Sequence, residues 1–317
     1  MASRPPDLPR LKERLDALRA TWRGRRLDSD PLAFPHRFGN AGDREVVAFL
    51  AASLAFGRVR SIQTSVERVL AALGPSPTGF LDSWDERPIP ELRPFVHRWV
   101  TGKDVEEFLR RVRGARQTYG SLGALFAEGD REGDFSEGKE SRSGAPCAAG
   151  ADYVPALSTF LRTLRGESLS GKAASRGLRF LLPSPSSGSA CKRSHLFLRW
   201  MVRTDDFDLG LWTGGRFSPS RLLLPMDTHV HRISRYLGLT RRPAADLAAA
   251  REATAWLSRL SPEDPVSYDW ALSRLGILAE CVDAPARRHC ERCAVAPVCR
   301  DRIGPLPAAS PEKSLTT

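Results

Sequence analysis

The chain has 317 residues, of which 41% are apolar, and it carries a formal net charge of +11 with an isoelectric point near 9.9. This length and apolar content predict a two-lobed globular protein. No run approaches the roughly 18 apolar residues of a membrane span, and no secretory segment follows Met1, so we expect a cytoplasmic protein with no membrane partner. The positive charge favours a polyanionic partner such as nucleic acid.

Helical periodicity dominates the chain. Apolar residues recur at three- and four-residue steps, whereas no convincing alternation of period two is present, so the predicted fold class is all-α. We predict helices near residues 10–22, 44–56, 61–73, 103–113, 153–164, 190–203, 228–237, 244–260 and 265–280. Residues 128–152 are polar and glycine-rich, which predicts a disordered insertion, and residues 301–317 are expected to form a flexible tail.

The stretch 225-PMDTHVHRISRYLGL-239 has an aspartate at the expected start of a helix. Pro225 cannot continue a preceding helix, and Gly238 ends the apolar stripe that follows. That stripe consists of Val230, Ile233 and Leu237. Asp227 is therefore predicted to be the N-cap of a helix that begins at Thr228.

Four of the six cysteines lie within 19 residues, at Cys281, Cys290, Cys293 and Cys299. In a reducing cytosol such a group predicts a metal site rather than a disulfide framework. The gaps of eight, two and five residues contain a single CxxC unit. Four thiolates around one CxxC suit an iron–sulfur cluster, while zinc usually takes two paired units, so both metals stay open at this point.

These two motifs together resemble the helix-hairpin-helix DNA glycosylases of the endonuclease III type. In that superfamily a V-D-T-H motif opens a helix, and a four-cysteine loop lies at the C-terminal end of the catalytic core. Here MDTHVHR is followed by 271-ALSRLGILAECVDAPARRHCERCAVAPVC-299. The chain is closer still to a family of uncharacterised bacterial proteins with MDTHVHR and the same cysteine loop, and the resemblance covers about residues 40–300.

The resemblance implies a two-lobed glycosylase-like fold, with residues 1–40 and 186–300 in one helical lobe and residues 41–185 in a middle lobe. It implies a base-excision repair enzyme on double-stranded DNA, with a [4Fe-4S] cluster on the four cysteines. Asp227 would then stabilise positive charge at C1′ of the extruded nucleotide. Lys192 and Asp227 are 35 positions apart, a separation similar to that in archaeal 8-oxoguanine glycosylases, which favours an oxidised purine as substrate.

Superfamily members that also cleave the strand as AP lyases use a lysine that opens the helix after the hairpin. Lys192, in 191-CKRSHLFLRWMVR-203, matches that position, and a helix N-terminus favours its neutral amine. Only six of the 48 basic residues are lysines, and Lys172 is the reserve candidate. By the same resemblance, the residues expected to contact DNA are Gly188, Ser189, Arg193, His229, Arg287 and Arg288.

The hairpin departs from the superfamily pattern. That pattern reads approximately L-P-G-V-G-x-K, whereas 182-LPSPSSGSACK-192 is longer and has one glycine. The departure supports an alternative, a DNA-binding iron–sulfur protein without catalysis, and an iron–sulfur redox or sensor protein without nucleic acid is a third possibility. Trp212 and Phe217, in the glycine-rich loop that follows, could stack on an extruded base or pack onto their own domain.

Overall fold

The computed structural model describes residues 6–21, 30–136, 152–166, 174–212, 214, 216–277, 281 and 289–301. These residues are mainly helical, which confirms the all-α prediction. None of the described helices has the length and apolar character needed to cross a membrane. Contacts divide the chain into two compact units: Arg26–Leu222, called the large unit, and Met1–Arg25 with Leu223–Thr317, called the split unit.

The large unit is built from helices and one short hairpin. Their bounds are α2 Ala41–Ser53, α3 Val59–Leu73, α4 Pro77–Ser83, β1 Val96–His97, β2 Val100–Thr101, α5 Gly102–Tyr119, α6 Leu122–Ser136, α7 Val154–Arg165, α8 Arg176–Leu181 and α9 Lys192–Val202. The hairpin pairs Val96 with Thr101 and His97 with Val100. The sequence predicts no strand here, because two residues on each side are too few for a period of two to show.

A cluster of aromatic rings forms the centre of the large unit. The ring of Phe49 in α2 lies 5.1 Å from Phe108 of α5, 5.6 Å from Phe160 of α7 and 4.8 Å from Phe197 of α9. Offset and edge-to-face ring pairs at such distances stabilise a core beyond the area that they bury. These contacts hold α9 in the large unit. The contact boundary therefore follows Leu222, whereas the expected lobe boundary is at residue 186.

Helix α6 extends over residues 128–136, the first part of the segment predicted to be a disordered insertion. Leu125 and Phe126 are buried on its inner face. The carboxylate of Asp130 accepts two hydrogen bonds from Arg221, at 2.8 and 3.0 Å. This pair joins positions 91 residues apart, which local periodicity cannot reveal. Residues 137–151, and the predicted tail from 302 onwards, lie outside the described residues.

A buried carboxylate fixes the start of α6. Glu45 of α2 is only 5% exposed, and it accepts hydrogen bonds from the backbone N–H groups of Leu122 at 3.0 Å and Gly123 at 2.9 Å. Its Oε1 also accepts a hydrogen bond from Nε1 of Trp212, at 2.8 Å. The first N–H groups of a helix have no partner within the helix, so an anion there satisfies them and matches the helix dipole.

We expect Glu45→Ala to lower the free energy of unfolding by about 3 kcal/mol or more, because three buried donors would lose their acceptor. Urea denaturation measures this change. Glu67→Ala is the matched control, since Glu67 is half exposed and pairs only with the equally exposed Arg37, at 2.7 Å. An exposed pair contributes about 0–1 kcal/mol. Equal losses in the two variants would contradict the anchoring role of Glu45.

The split unit contains α1 Leu8–Ala20, α10 Thr228–Leu237, α11 Leu247–Ser258 and α12 Asp269–Ile277. Helix α1 begins after the N-cap Asp7 and buries an apolar stripe consisting of Leu11, Leu15 and Leu18. The hydroxyl of Tyr268, which directly precedes α12, donates a hydrogen bond to Asp16 of α1 at 2.9 Å. The N-terminal helix is therefore part of the same core as the C-terminal helices.

Candidate functional site

Asp227 is the N-cap of α10, as the sequence predicts. Its Oδ1 accepts hydrogen bonds from the backbone N–H groups of His229 at 2.9 Å and Val230 at 2.8 Å. The helix begins at Thr228 and ends at Leu237, before Gly238 in the left-handed conformation with φ 76°. The carboxylate is half-buried. It is thus an oriented negative charge at the positive end of a helix dipole.

The two histidines of α10 have different environments. His231 is buried, and its Nε2 lies 3.0 Å from the carbonyl oxygen of Arg242. His229 is half-buried against Gly276 of α12, where an added Cβ would come within 2.5 Å of the His229 Cβ. A glycine is therefore required at that point of α12. The role of His229 at this helix contact is structural, and its contact with DNA stays a prediction.

Arg232 links α10 to the first cysteine. Its guanidinium donates a short hydrogen bond to the carbonyl oxygen of Cys281, and the same nitrogen lies 3.4 Å from Nδ1 of His229. An arginine near the middle of a helix that reaches a neighbouring carbonyl restrains the segment that carries this carbonyl. Sequence reasoning missed Arg232, although it belongs to the MDTHVHR motif.

The four cysteines line one pocket beside α10. The empty volume of this pocket is about 430 Å³, which includes open solvent. Its lining residues are Ile233, Tyr236, Leu237, Leu275, Cys281, Cys290, Cys293, Val295, Ala296, Cys299 and Asp301. The described cysteines are free thiols. Cys281 and the three cysteines between positions 290 and 299 therefore face a common pocket, and the metal that they are predicted to bind stays a prediction.

Two tight turns place the last three cysteines. One is the 3₁₀ turn at Cys290–Arg292 and the other is the 3₁₀ turn at Ala296–Val298. The N–H of Ala296 donates to the carbonyl of Cys293 at 3.0 Å, and the N–H of Cys299 donates to the carbonyl of Ala296 at 3.2 Å. Because Val295 and Ala296 are buried, the loop is held from its inner side.

The thiols of Cys293 and Cys299 lie in an environment that disfavours free thiolates. Burial, with smaller contributions from Cys281, Cys293 and Cys290, raises the pKa of Cys299 to about 11. Burial likewise raises the pKa of Cys293 above its usual value. Such thiols become thiolates readily only when a cation balances their charge. Among the described residues, no three histidine, cysteine or acidic side chains are arranged tightly enough to hold a single metal ion.

Lys192 is the first residue of α9 and is half-buried, as expected for a lysine that opens this helix. It follows a loop of ten residues, 182–191, that connects α8 to α9. Gly188, with φ 78°, and Ser189 are exposed on this loop. The Oγ of Ser189 accepts a hydrogen bond from the N–H of Cys191 at 3.3 Å. The connection is a helix–loop–helix, with its turn fixed by its own side chains.

Arg193 contacts the interior of the large unit. Its guanidinium donates to the carbonyl oxygen of Ser53 at 2.5 Å and makes a short hydrogen bond to that of Phe180. The guanidinium carbon also lies 5.0 Å from the ring centroid of Phe56 and 4.4 Å from that of Phe180. Burial lowers the pKa of Arg193 to about 10. These contacts give Arg193 a structural role, and its contact with DNA stays a prediction.

Trp212 packs onto its own unit, which was the second of the two possibilities for this loop. It is 7% exposed and stacks on Phe126, with ring centroids 5.3 Å apart. Phe217 lies 5.6 Å from Trp212 and 5.5 Å from Phe126. Arg216 donates to the carbonyl oxygen of Ala127 at 2.9 Å. Trp212 therefore belongs to the core, and the half-buried Phe217 packs against it.

The predicted site residues fall into three groups. Asp227, His229 and the four cysteines belong to the split unit, whereas Lys192, Gly188, Ser189 and Arg193 belong to the large unit. Arg287, Arg288 and the reserve candidate Lys172 lie outside the described residues.

Residues 30–278 match DUF2400, a family described as a protein of unknown function. The matched range includes both Lys192 and Asp227 and ends before the first cysteine of the pocket. No curated protein and no solved structure is significantly similar to the chain. Because the match covers more than half of its residues, the chain belongs to the DUF2400 family.

Proposed function

We propose that this protein is a DNA glycosylase of base-excision repair with an associated AP-lyase activity. One observation supports the proposal most strongly: helix α10 has Asp227 as its N-cap and lines the four-cysteine pocket with its apolar side. The two motifs that resemble the helix-hairpin-helix glycosylases are thus joined by a single element. The net charge of +11 supports a polyanionic substrate.

Asp227 would stabilise the transition state of excision. When the bond between C1′ and the base nitrogen breaks, its electron pair leaves with the base and positive charge develops on the sugar. A carboxylate that is already oriented by two backbone N–H groups needs little reorganisation to stabilise that charge. The cap and the catalytic role are therefore compatible in the same side chain.

Lys192 would supply the nucleophile. Its neutral Nζ would attack C1′ of the nucleotide, the base would leave, and loss of a proton from nitrogen with opening of the sugar ring would give a Schiff base. Borohydride reduces this linkage to a stable secondary amine.

The cysteine pocket suits an iron–sulfur cluster better than zinc. A [4Fe-4S] cluster holds its four sulfurs farther apart than a single tetrahedral zinc ion does. The four thiols line a common pocket, and their sequence contains a single CxxC unit instead of the two paired units that are usual for zinc. The cluster would be held by Cys281, Cys290, Cys293 and Cys299. Its iron would balance the negative charge of the four thiolates, and its bonds to sulfur would cross-link the loop and make it rigid. An oxidised purine is the substrate class that we propose first.

Borohydride trapping on a panel of lesion duplexes, including 8-oxoguanine and an abasic site, tests the proposal. We expect a covalent protein–DNA adduct with the wild-type protein and none with Lys192→Ala. Lys103→Ala is the matched control, because Lys103 is an exposed lysine in the first turn of α5 in the same unit. It should form the adduct at the wild-type level. An adduct that persists in Lys192→Ala would contradict the assigned nucleophile.

A DNA-binding protein without catalysis is the second candidate. It is favoured by the loop 182–191, which is longer than the superfamily hairpin, has one glycine and is fixed by internal hydrogen bonds. If the wild-type protein binds duplex DNA but neither excises nor traps any lesion of the panel, this second candidate is correct.

A further inference from the structure

The β1–β2 hairpin presents an aromatic ring at the surface of the large unit. Its two-residue turn consists of Arg98 and Trp99. Trp99 is 48% exposed and Val96 is 61% exposed, both large values for apolar side chains. Arg98 has φ 57°, a left-handed conformation that a residue with a side chain rarely adopts. A two-residue hairpin turn requires such a conformation, so the turn is well defined.

Hydrogen bonds from both strands fix the hairpin to neighbouring elements of the large unit. The ring of His97 lies between the hydroxyl of Ser65, at 2.8 Å, and the carbonyl oxygen of Phe56, at 2.9 Å. After the second strand, Thr101 forms a capping box with Asp104 at the start of α5. Both ends of the hairpin are therefore tied to neighbouring elements, which fixes the backbone that carries Trp99.

Three aromatic rings from separate segments form what we call the aromatic patch: Phe56, Trp99 and Phe180. Trp99 lies 5.9 Å from Phe56 in a nearly parallel arrangement and 4.8 Å from Phe180 edge to face. Phe56 and Phe180 are themselves 4.8 Å apart. Both phenylalanines are half-buried, so they support the more exposed indole. A rigid, supported and exposed indole costs little conformational entropy when a flat ligand binds to it.

In the three segments that contribute to the aromatic patch, every charged residue is positive. The segments that contribute to it, 54–60, 96–100 and 176–181, contain no aspartate or glutamate. They contain exposed arginines at positions 58, 60, 98, 176 and 179. The guanidinium of Arg98 lies 5.0 Å from the centroid of Trp99. The nearby carboxylate of Asp104 is already used by Thr101 and Ser175.

We propose that the aromatic patch binds an unpaired base of single-stranded nucleic acid. The base would stack on Trp99, and the flanking phosphates would contact the surrounding arginines. Stacking on an aromatic side chain within a positive surface is the general way in which proteins hold single strands. The site goes beyond the proposed function, since it needs neither Lys192 nor Asp227 and breaks no bond.

Fluorescence anisotropy with a labelled, undamaged single strand and with the blunt duplex of the same sequence tests the site. We expect Trp99→Ala to weaken single-strand binding about tenfold and to change duplex binding less than twofold. Trp99→Phe, which keeps an aromatic ring, should recover most of the affinity. Tyr119→Ala is the control, because Tyr119 is a partly exposed aromatic residue at the end of α5, and it should bind like the wild-type protein.

The contribution of Arg98 is measured separately, by the salt dependence of single-strand binding. We expect Arg98→Ala to reduce the slope of log affinity against log salt concentration by about 0.7 for the single strand, because one phosphate contact is lost. Arg259→Ala is the matched control, since Arg259 lies 4.9 Å over the ring of Trp256 in α11 and forms the same type of pair elsewhere. It should leave the slope unchanged.

Three results would overturn the inference: unchanged single-strand binding in Trp99→Ala, an equal loss on single strand and duplex, or self-association of the wild-type protein that Trp99→Ala abolishes. The last result would show that the aromatic patch contacts a second copy of the chain. A failure of this site is distinguishable from a failure of the proposed function. Trapping and excision depend on Lys192 and Asp227, while this assay uses intact DNA and no reaction.

Discussion

Asp227→Asn is expected to reduce the rate of base excision by about 10²- to 10³-fold, a range typical for the loss of one oriented electrostatic group. The fold should be nearly unaffected, because asparagine is as good an N-cap as aspartate and can still accept from the N–H groups of His229 and Val230. Single-turnover excision from the lesion duplex that the wild-type protein traps best measures the rate. Thermal unfolding measures the stability.

The comparison with a second N-cap separates catalysis from capping. Asp246 caps α11 in the same unit and accepts from the N–H of Ala249 at 2.8 Å. Asp246→Asn makes the same chemical change and also weakens the half-exposed ion pair with Arg242, which affects stability and not the reaction. It should excise at the wild-type rate. If Asp227→Asn and Asp246→Asn had equal rates, Asp227 would be a cap and nothing more.

Local signals in the sequence are sufficient for helix α10 and its cap. Pro225 and Gly238 delimit the helix, and a stripe at three- and four-residue steps lies between them, so both ends and the inner face follow from neighbouring residues. The cysteine group is equally local, because one CxxC unit and short gaps limit how far apart its members can lie.

Features that depend on distant residues could not be predicted in this way. Helix α6 is stabilised by two residues far away in the chain: Glu45 binds its N-terminus, and Arg221 pairs with Asp130 near its middle. The burial of Trp212 also depends on a distant residue, because its indole N–H donates a hydrogen bond to the Glu45 carboxylate. The membership of α9 in the large unit depends on the ring of Phe197 meeting Phe49. Periodicity identifies an apolar face, but not the partner that covers it.

Cys293→Ser is expected to remove the metal and to lower the thermal midpoint by on the order of 10 °C, because the binding free energy of a structural metal is folding free energy. Iron and zinc analysis of the purified protein measures the first effect. The wild-type chain should contain about four irons if the pocket holds a [4Fe-4S] cluster and about one zinc if it holds the alternative. Differential scanning fluorimetry measures the second effect.

Cys191→Ser is the matched control for this experiment. Cys191 is also buried, and it makes a weak hydrogen bond from its thiol to the carbonyl oxygen of Pro183, at 3.7 Å, but it belongs to the large unit and does not line the pocket. It should retain the full metal content. A wild-type protein that contains no metal, with a midpoint that Cys293→Ser does not change, would contradict the cluster.

Loss of the cluster would also affect α10, because Ile233 and Leu237 line the same pocket and would lose a packing partner. The metal would then position Asp227 through the helix that both share, so metal removal should reduce excision even though no cysteine contacts the substrate.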